Sequence, residues 1–280
     1  RANPSNMTNI PALLQGWQQL RSLTMFNLPV GCCREIVTMQ HLTRLELYKC
    51  KLADLKPMTA FLELLGRLEH FAIGYCFEPV EKLLEALNPD RLRQLSLNQV
   101  CLDEQLLISL FNQKPALAAN LTHLTLVIAK PGSNFEAVTS FEITLLQLEL
   151  VVFHCTALRF FQFWPTLEHF YVNFDALSYL TQLEELSIKQ DTNIDVKLEI
   201  LEHAHIVPAR RLTLLIDHKT LDSMIETLKG IAQFFPHLRE LNILSEYTIA
   251  EDVEAEKQAC RDIFPNLSQL SFTSNPCVLS

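Results

Sequence analysis

The chain repeats a pattern in which two leucines alternate with polar residues and a third leucine precedes them by three positions. The clearest copy is Leu42-Thr-Arg-Leu45-Glu-Leu47-Tyr-Lys-Cys50-Lys-Leu52. Alternation with a period of two places Leu45 and Leu47 on one face of a short β-strand. Because one such strand cannot bury its leucines, the pattern predicts stacked copies that share a core.

Copies of this pattern recur along the chain, and they match the leucine-rich-repeat signature with cysteine in place of asparagine. We place their first positions at Leu20, Leu42, Leu68, Leu92, Leu121, Leu145, Leu167, Leu183, Ala209, Leu238 and Leu267. Most spacings fall within the roughly 20–29 residues of this repeat class. The interval of 16 between Leu167 and Leu183 does not. Either one of them begins a degenerate repeat or the register there is wrong.

Apolar residues at helical spacing between the repeats predict helices that alternate with the strands. In residues 79–87 they fall at i, i+3, i+4 and i+7, and similar stretches occupy residues 103–111, 193–204, 220–235 and 250–264. The expected fold class is α/β, a leucine-rich-repeat solenoid (horseshoe) with a concave parallel sheet and convex helices, in about 10–11 irregular repeats. Residues 1–19 are predicted to be an N-terminal capping segment, and residues 20–280 the repeat domain.

An aromatic cluster lies in the least regular part of the chain. It consists of Phe160, Phe161, Phe163 and Trp164. We interpret it as core on the convex side, with a binding patch as the alternative.

The formal net charge of -9 is unevenly distributed. Residues 1–140 carry 13 basic and 12 acidic side chains, whereas residues 141–280 carry 10 and 20. Nucleic-acid phosphates are bound by Lys and Arg, so the acidic half disfavours that partner and suits a basic or polar protein. Simple solvation of the surface is the alternative. There is no apolar run of about 18 residues, so no membrane partner is predicted.

The eight cysteines are dispersed, and Cys50 and Cys76 occupy equivalent inward positions in consecutive repeats. We expect both to be buried thiols and not to form disulfides, which are typical of secreted chains. The predicted compartment is the cytoplasm or the nucleus.

No catalytic, cofactor-binding or metal-binding motif is present, since GxSxG, HExxH, GxxxxGK and CxxC are all absent. We therefore predict no enzyme activity and no cofactor. His70, His123 and His169 recur at one position in alternate repeats, roughly 10 Å apart. That separation is too large for one zinc ion. A hydrogen-bonding stripe for a protein partner and ordinary solvated histidines are the remaining interpretations.

Side chains that alternate with the inward leucines should line the concave face. Most are polar, and the apolar exceptions are Phe26, Tyr48, Val127, Val151, Tyr171, Leu215 and Leu244. Aromatic residues and arginine dominate interface energetics, so we predict a protein partner on this face. The predicted contact residues are Arg44, Tyr48, His70, His123, Tyr171 and Arg211. Scattered exposed residues without a function are the alternative.

The copies Leu42–Leu52 and Leu68–Cys76 resemble those of F-box substrate receptors of cullin–RING ubiquitin ligases. The resemblance implies that the repeats hold a substrate, while an F-box upstream of Arg1 engages the Skp adaptor and, through it, the cullin. The ligand-sensing or autoinhibitory repeat domain of a NOD-like innate immune receptor is one alternative. A non-catalytic scaffold or inhibitor is another.

Overall fold

A computed structural model describes residues 16–27, 36–50, 59–76, 80–101, 104–129, 145–163, 176–190, 206–216, 221–245 and 253–274. The chain folds as two compact units, Arg1–Phe141 and Glu142–Ser280. Within each unit the described strands are parallel and pair in chain order. Each repeat therefore packs against the repeats that adjoin it in sequence.

Five strands and four helices are described in the first unit. The strands are β1 (Ser22–Phe26), β2 (Arg44–Tyr48), β3 (His70–Cys76), β4 (Gln94–Cys101) and β5 (His123–Ala129). The helices are α1 (Thr59–Leu65), α2 (Glu81–Ala86), α3 (Glu104–Gln113) and α4 (Pro115–Asn120). The predicted helical stretches 79–87 and 103–111 thus correspond to α2 and α3.

Five strands and three helices are described in the second unit. The strands are β6 (Phe160–Phe163), β7 (Glu185–Gln190), β8 (Arg211–Ile216), β9 (Glu240–Ser245) and β10 (Gln269–Ser274). The helices are α5 (Leu145–His154), α6 (Leu221–Ala232) and α7 (Val253–Ile263). Helices α6 and α7 lie within the predicted stretches 220–235 and 250–264, whereas the predicted helix 193–204 lies outside the described residues.

The alternating leucines form continuous buried rows across the strands. Leu45 on β2 is in register with Phe71 on β3, and Leu47 is in register with Ile73. All four side chains are fully buried. On β2 the side chains that alternate with them are more exposed, and we call the surface formed by the alternating positions the open face of each unit. Both units are α/β solenoids of the leucine-rich-repeat type, as predicted.

Paired hydrogen bonds fix the register where each strand begins. The amides of Glu69 and His70 both donate to the Thr43 carbonyl, at 2.8 and 3.0 Å. In the second unit the amides of Arg210 and Arg211 share the Glu184 carbonyl in the same way, at 2.9 and 3.0 Å. Since a slip of one residue would exchange the two faces, these bonds also determine which side chains reach the open face.

A left-handed backbone residue recurs at or near the end of the first four strands. These residues have φ between 51° and 55° and are Asn27, Lys49, Tyr75 and Gln99. A residue with a Cβ atom adopts this conformation at a cost of roughly 1–3 kcal/mol. The amides of Asn27 and Lys49 donate to the carbonyls of Tyr48 and Gly74 at 2.9 Å. Bonds between neighbouring strands thus hold the bend in place.

Cysteines follow this bend at inward positions. Cys50 and Cys76 are buried thiols, as predicted, and Cys50 Sγ donates to the Tyr48 carbonyl at 3.4 Å. Cys155 and Cys260 are also buried thiols. Burial, followed by the nearby Glu256 carboxylate, raises the pKa of Cys260 to about 12, and burial raises the pKa of Cys155 as well. Neither group forms the reactive thiolate at neutral pH.

The prediction of a strand after Leu145 is wrong, because this segment forms helix α5. Its apolar residues also repeat at i, i+3, i+4 and i+7, and the side chains buried at this spacing are Leu148, Val151, Val152 and Cys155. The next strand is β6, where the aromatic cluster predicted to be convex core provides the inward pair Phe161 and Phe163. Their rings stack with centroids 4.7 Å apart.

Two further sequence predictions lie outside the described residues. They are the repeat beginning at Leu167, together with His169, and residues 1–15 of the predicted N-terminal capping segment.

Candidate functional site

The open face of the first unit carries an aligned column of polar side chains. Register pairs Arg44 with His70, His70 with Gln94, and Gln94 with His123. We call this the first column, and we call the residues two positions further along each strand the middle column. Glu46, on the middle column, contacts both Arg44 and His70.

Glu46 is the centre of a hydrogen-bond network on this face. Arg44 donates to Glu46 Oε1 from Nε at 2.8 Å and from Nη2 at 2.5 Å. Thr24 Oγ1 donates to Oε2 at 3.1 Å. Burial alone would raise the pKa of Glu46, but the hydrogen bonds from Arg44 and Thr24 outweigh it and lower the pKa. The carboxylate is therefore ionised and holds Arg44 in one orientation.

His70 is packed between Glu46 and Gln94. Its Nδ1 lies 2.6 Å from Gln94 Oε1, which makes Nδ1 the donor. Within the described part of the chain Nε2 is buried without a hydrogen bond, although Glu46 Oε1 is 3.2 Å away. Burial lowers the pKa of His70, and the bond to Gln94 offsets this effect in part. The imidazole is consequently neutral at pH 7.

We expect stability to fall as the pH is lowered below about 6.5, the usual pKa of histidine in an unfolded chain. With a depressed folded pKa, the unfolded state binds the proton first, so the loss grows until the folded pKa is reached. The groups facing the imidazole are Arg44 and Glu46 from β2 and Gln94 from β4. Denaturant unfolding between pH 7.5 and 5.5 should show a flatter profile for His70→Gln than for the parent. His123→Gln, which removes an exposed imidazole from the same column, is the comparison variant. Parallel profiles for the parent and His70→Gln would contradict this assignment.

Beside this network lies an aromatic shelf, formed by Phe26 and Tyr48 over Gly74. The two rings stack with centroids 5.0 Å apart and an interplanar angle of 21°. Phe26 remains 60 % exposed. A Cβ atom on Gly74 would lie 2.6 Å from Tyr48 Cδ1 and 2.8 Å from Cε1. The absence of that atom lets the Tyr48 ring lie across β3.

Two further features fix the character of the shelf. Burial and then the Glu46 carboxylate raise the pKa of Tyr48, so its hydroxyl stays protonated at physiological pH. At its edge the Lys49 ammonium lies 5.4 Å from the centroid of the Tyr75 ring, within range of a cation–π interaction. The shelf therefore offers apolar ring surface with a neutral hydroxyl.

The open face of the second unit is more polar. Its first column aligns Glu185, Arg211, Glu240 and Gln269, and its middle column aligns Ser187, Thr213, Asn242 and Ser271. Arg211 Nη2 lies 3.2 Å from Glu185 Oε2, and Ser271 Oγ donates to Asn242 Oδ1 at 2.6 Å. Most of these side chains line a cavity of about 370 Å³, which also borders the strand backbone at Leu212, Leu241 and Leu270.

The structure brings three of the six predicted contact residues together. Arg44 and His70 both contact Glu46, and Tyr48 is the next residue outward on the same strand. His123 is exposed on the same column, with Nδ1 2.9 Å from Thr122 Oγ1. Arg211 lies on the second unit, and Tyr171 is outside the described residues.

Two apolar residues predicted for the open face are buried. Val151 belongs to helix α5 and faces the core, which follows from the wrong strand assignment. Val127 is on β5 but is fully buried. Residue-by-residue prediction did not identify Glu46 as the centre of the network or Gly74 as part of the shelf. A glycine inside a strand is nevertheless a known sign of close approach by another group.

No family model matches this chain, and no curated protein matches it. Among solved structures, the leucine-rich-repeat-containing protein LegL7 from Legionella pneumophila is similar, with 11% sequence identity and a TM-score of 0.49. The match covers 91% of this chain and 82% of that chain. A leucine-rich-repeat protein from Leptospira interrogans matches with 14% identity and a TM-score of 0.32, covering 95% and 81%.

Within the described ranges, no group of three or more His, Cys, Asp or Glu side chains is placed to hold a metal ion. None of the described helices is long and apolar enough to cross a membrane.

Proposed function

We propose that this chain is a protein-binding domain and that its aromatic shelf is the principal contact. The observation that carries the proposal is the exposed Phe26 ring stacked on Tyr48. Binding is favoured when a partner covers aromatic surface that is exposed on a sheet, and aromatic residues are enriched among the strongest interface contacts. The neighbouring core is complete without this pair, since Leu45, Leu47 and Ile73 are already fully buried beneath it.

Arg44 and His123 extend the proposed contact along the first column. The Arg44 side chain is 49% exposed while Glu46 holds its guanidinium. An arginine that is already oriented loses less conformational entropy on binding. His70 supports the site from below, because it packs against Glu46. Tyr171 and Arg211 remain proposed contacts of the same kind elsewhere on the chain.

We further propose that the bound partner is a substrate presented to a cullin–RING ubiquitin ligase. The support is the resemblance of the copies Leu42–Leu52 and Leu68–Cys76 to those of F-box receptors, in which the repeats hold the substrate. The inward placement of Cys50 and Cys76 agrees with that repeat type. In this proposal a separate segment of the protein contacts the Skp adaptor.

The test is quantitative mass spectrometry of proteins recovered with the natural full-length protein. The variant Phe26→Ser with Tyr48→Ser should lose its substrate by about tenfold or more, as expected when two aromatic anchors are removed. Tyr179→Ser, an aromatic residue 68% exposed on the second unit, is the matched control and should retain the substrate. Skp adaptor and cullin should be recovered equally with all three proteins.

Two results would contradict the proposal at different levels. Absence of Skp adaptor and cullin from every sample would refute the ligase assignment while leaving the protein-binding function intact. Undiminished recovery of all partners by the shelf variant would refute the shelf as the contact surface.

A further inference from the structure

The cavity on the second unit differs from the first unit in how its charges are balanced. We call it the charged trough and define it by Glu185, Arg211 and Glu240 on one side and Thr213, Asn242 and Ser271 on the other. In the first unit the Glu46 carboxylate contacts Thr24, Arg44 and His70. Among the described residues, the one ion pair in the trough joins Arg211 to Glu185.

Glu240 is therefore a surplus carboxylate. It lies in register beside Arg211, yet among the described residues its side chain has neither a hydrogen-bond nor an ion-pair partner. The Arg211 guanidinium is instead paired with Glu185, whose Oε2 lies 3.2 Å from Arg211 Nη2. The charged residues that line the trough, Glu185, Arg211 and Glu240, thus sum to one net negative charge. The exposed side chains of Arg210 and Arg239, at neighbouring strand starts, do not line it.

The other side of the trough offers uncommitted hydrogen-bonding groups. The Ser271 hydroxyl donates a hydrogen bond to Asn242 Oδ1 at 2.6 Å. The Asn242 amide nitrogen therefore remains a donor that is directed away from that bond. In the described structure the Thr213 hydroxyl also has no partner. A group bound at Glu240 would therefore find a donor and a hydroxyl on the adjoining column, as a peptide carbonyl requires.

We propose that the trough binds an arginine side chain from an extended segment of the partner protein. This inference rests on the proposed protein-binding function. A guanidinium matches a carboxylate through two parallel N–H donors, which a free carboxylate such as Glu240 can accept. A metal ion fits poorly, because Glu185 and Glu240 flank Arg211 on separate strands and are roughly 10 Å apart.

The test is an NMR titration of the isotope-labelled full chain with N-acetyl-L-arginine methylamide. Saturable shifts are expected for the backbone amides of Thr213 and Ser271 and for the side-chain amide of Asn242. The citrulline analogue has the same shape without the charge and should produce no saturable shift. This comparison needs no variant, so it does not depend on any substitution being tolerated.

Two substitutions test whether Glu240 binds the arginine probe and whether Arg211 competes with it. Glu240→Gln should weaken binding of the arginine probe by about fivefold, as expected for the loss of a partly exposed ion pair. Glu226→Gln, exposed on helix α6, is the control and should bind like the parent. Arg211→Ala releases Glu185 from its ion pair, so the probe should bind about threefold more tightly.

The outcomes separate this inference from the function on which it rests. Equal shifts with the arginine and citrulline probes, or unchanged affinity in Glu240→Gln, would overturn the arginine site. If the shelf variant described above still loses its substrate in that case, protein binding stands. Conversely, saturable arginine binding together with a shelf variant that retains all partners would support the trough and refute the shelf.

Discussion

Replacing Leu45 by alanine should lower the free energy of unfolding by about 2–5 kcal/mol. Leu45 is fully buried on β2, in register with Leu23 on one neighbouring strand and Phe71 on the other. Truncation removes apolar contacts to both repeats and leaves a cavity that two hydrogen-bonded strands cannot close by shifting. In a solenoid, the stability of each repeat depends on such contacts with its neighbours.

Chemical denaturation of the parent and the Leu45→Ala variant at the same pH would measure this cost. Leu244→Ala, on the open face of β9, provides the control, because its side chain is only partly buried. We expect less than about 1 kcal/mol there, since less apolar area is removed from contact. Equal losses at the two positions would contradict the assignment of the buried and open faces.

Replacing Gly74 by alanine should destabilise the chain by about 1–3 kcal/mol and disrupt the aromatic shelf. The added Cβ would lie 2.6 Å from Tyr48 Cδ1 and 3.2 Å from the Asn98 carbonyl oxygen. The first distance is far below van der Waals contact, so the tyrosine ring must leave its position across β3. Its stacking on Phe26 would be lost with it, and we expect partner binding to weaken as strongly as in the shelf variant.

A double-mutant cycle isolates the cause. In a Tyr48→Ala background the ring is absent, so Gly74→Ala should cost much less, with only the Asn98 carbonyl still close. Denaturant unfolding of the parent, both single variants and the double variant gives the coupling energy. A cost that is the same in both backgrounds would show that the Tyr48 ring does not require glycine at this position.

The register of the sheet could be predicted from the sequence because the inward leucines and the strand period are both regular. From Leu45 and Leu47 alone, the alternation places Arg44, Glu46 and Tyr48 on the open face, and the structure agrees. The column from Arg44 to His123 follows from the same reasoning applied to four repeats.

The error at Leu145 has a physical cause. The sequence Leu145-Leu-Gln-Leu-Glu-Leu satisfies a period of two, but its continuation also satisfies the helical spacing, and the longer match determines the structure. The true first position of this repeat, Leu158, was missed because phenylalanine replaces leucine at positions 161 and 163 of strand β6. A pattern written for any large apolar residue would have found it.

The interactions at the site were harder to predict than the positions. Sequence alternation places Glu46 and His70 on one face, but it does not predict that Glu46 Oε1 and His70 Nε2 approach to 3.2 Å. That contact depends on side-chain rotamers and on burial, which a pattern of residue types does not contain. The stacking of Phe26 on Tyr48 depends likewise on the empty space above Gly74.

The row of left-handed residues has a consequence for how this surface can change over evolutionary time. Asn27, Lys49, Tyr75 and Gln99 share one backbone conformation but are chemically unrelated. At Asn27 and Lys49 hydrogen bonds between strands hold the bend, so it forms there without glycine. Substitutions along this row can therefore alter size, charge or aromaticity next to the shelf while the chain keeps its path. Homologous proteins can therefore acquire new binding preferences through substitutions in this row while the fold stays the same.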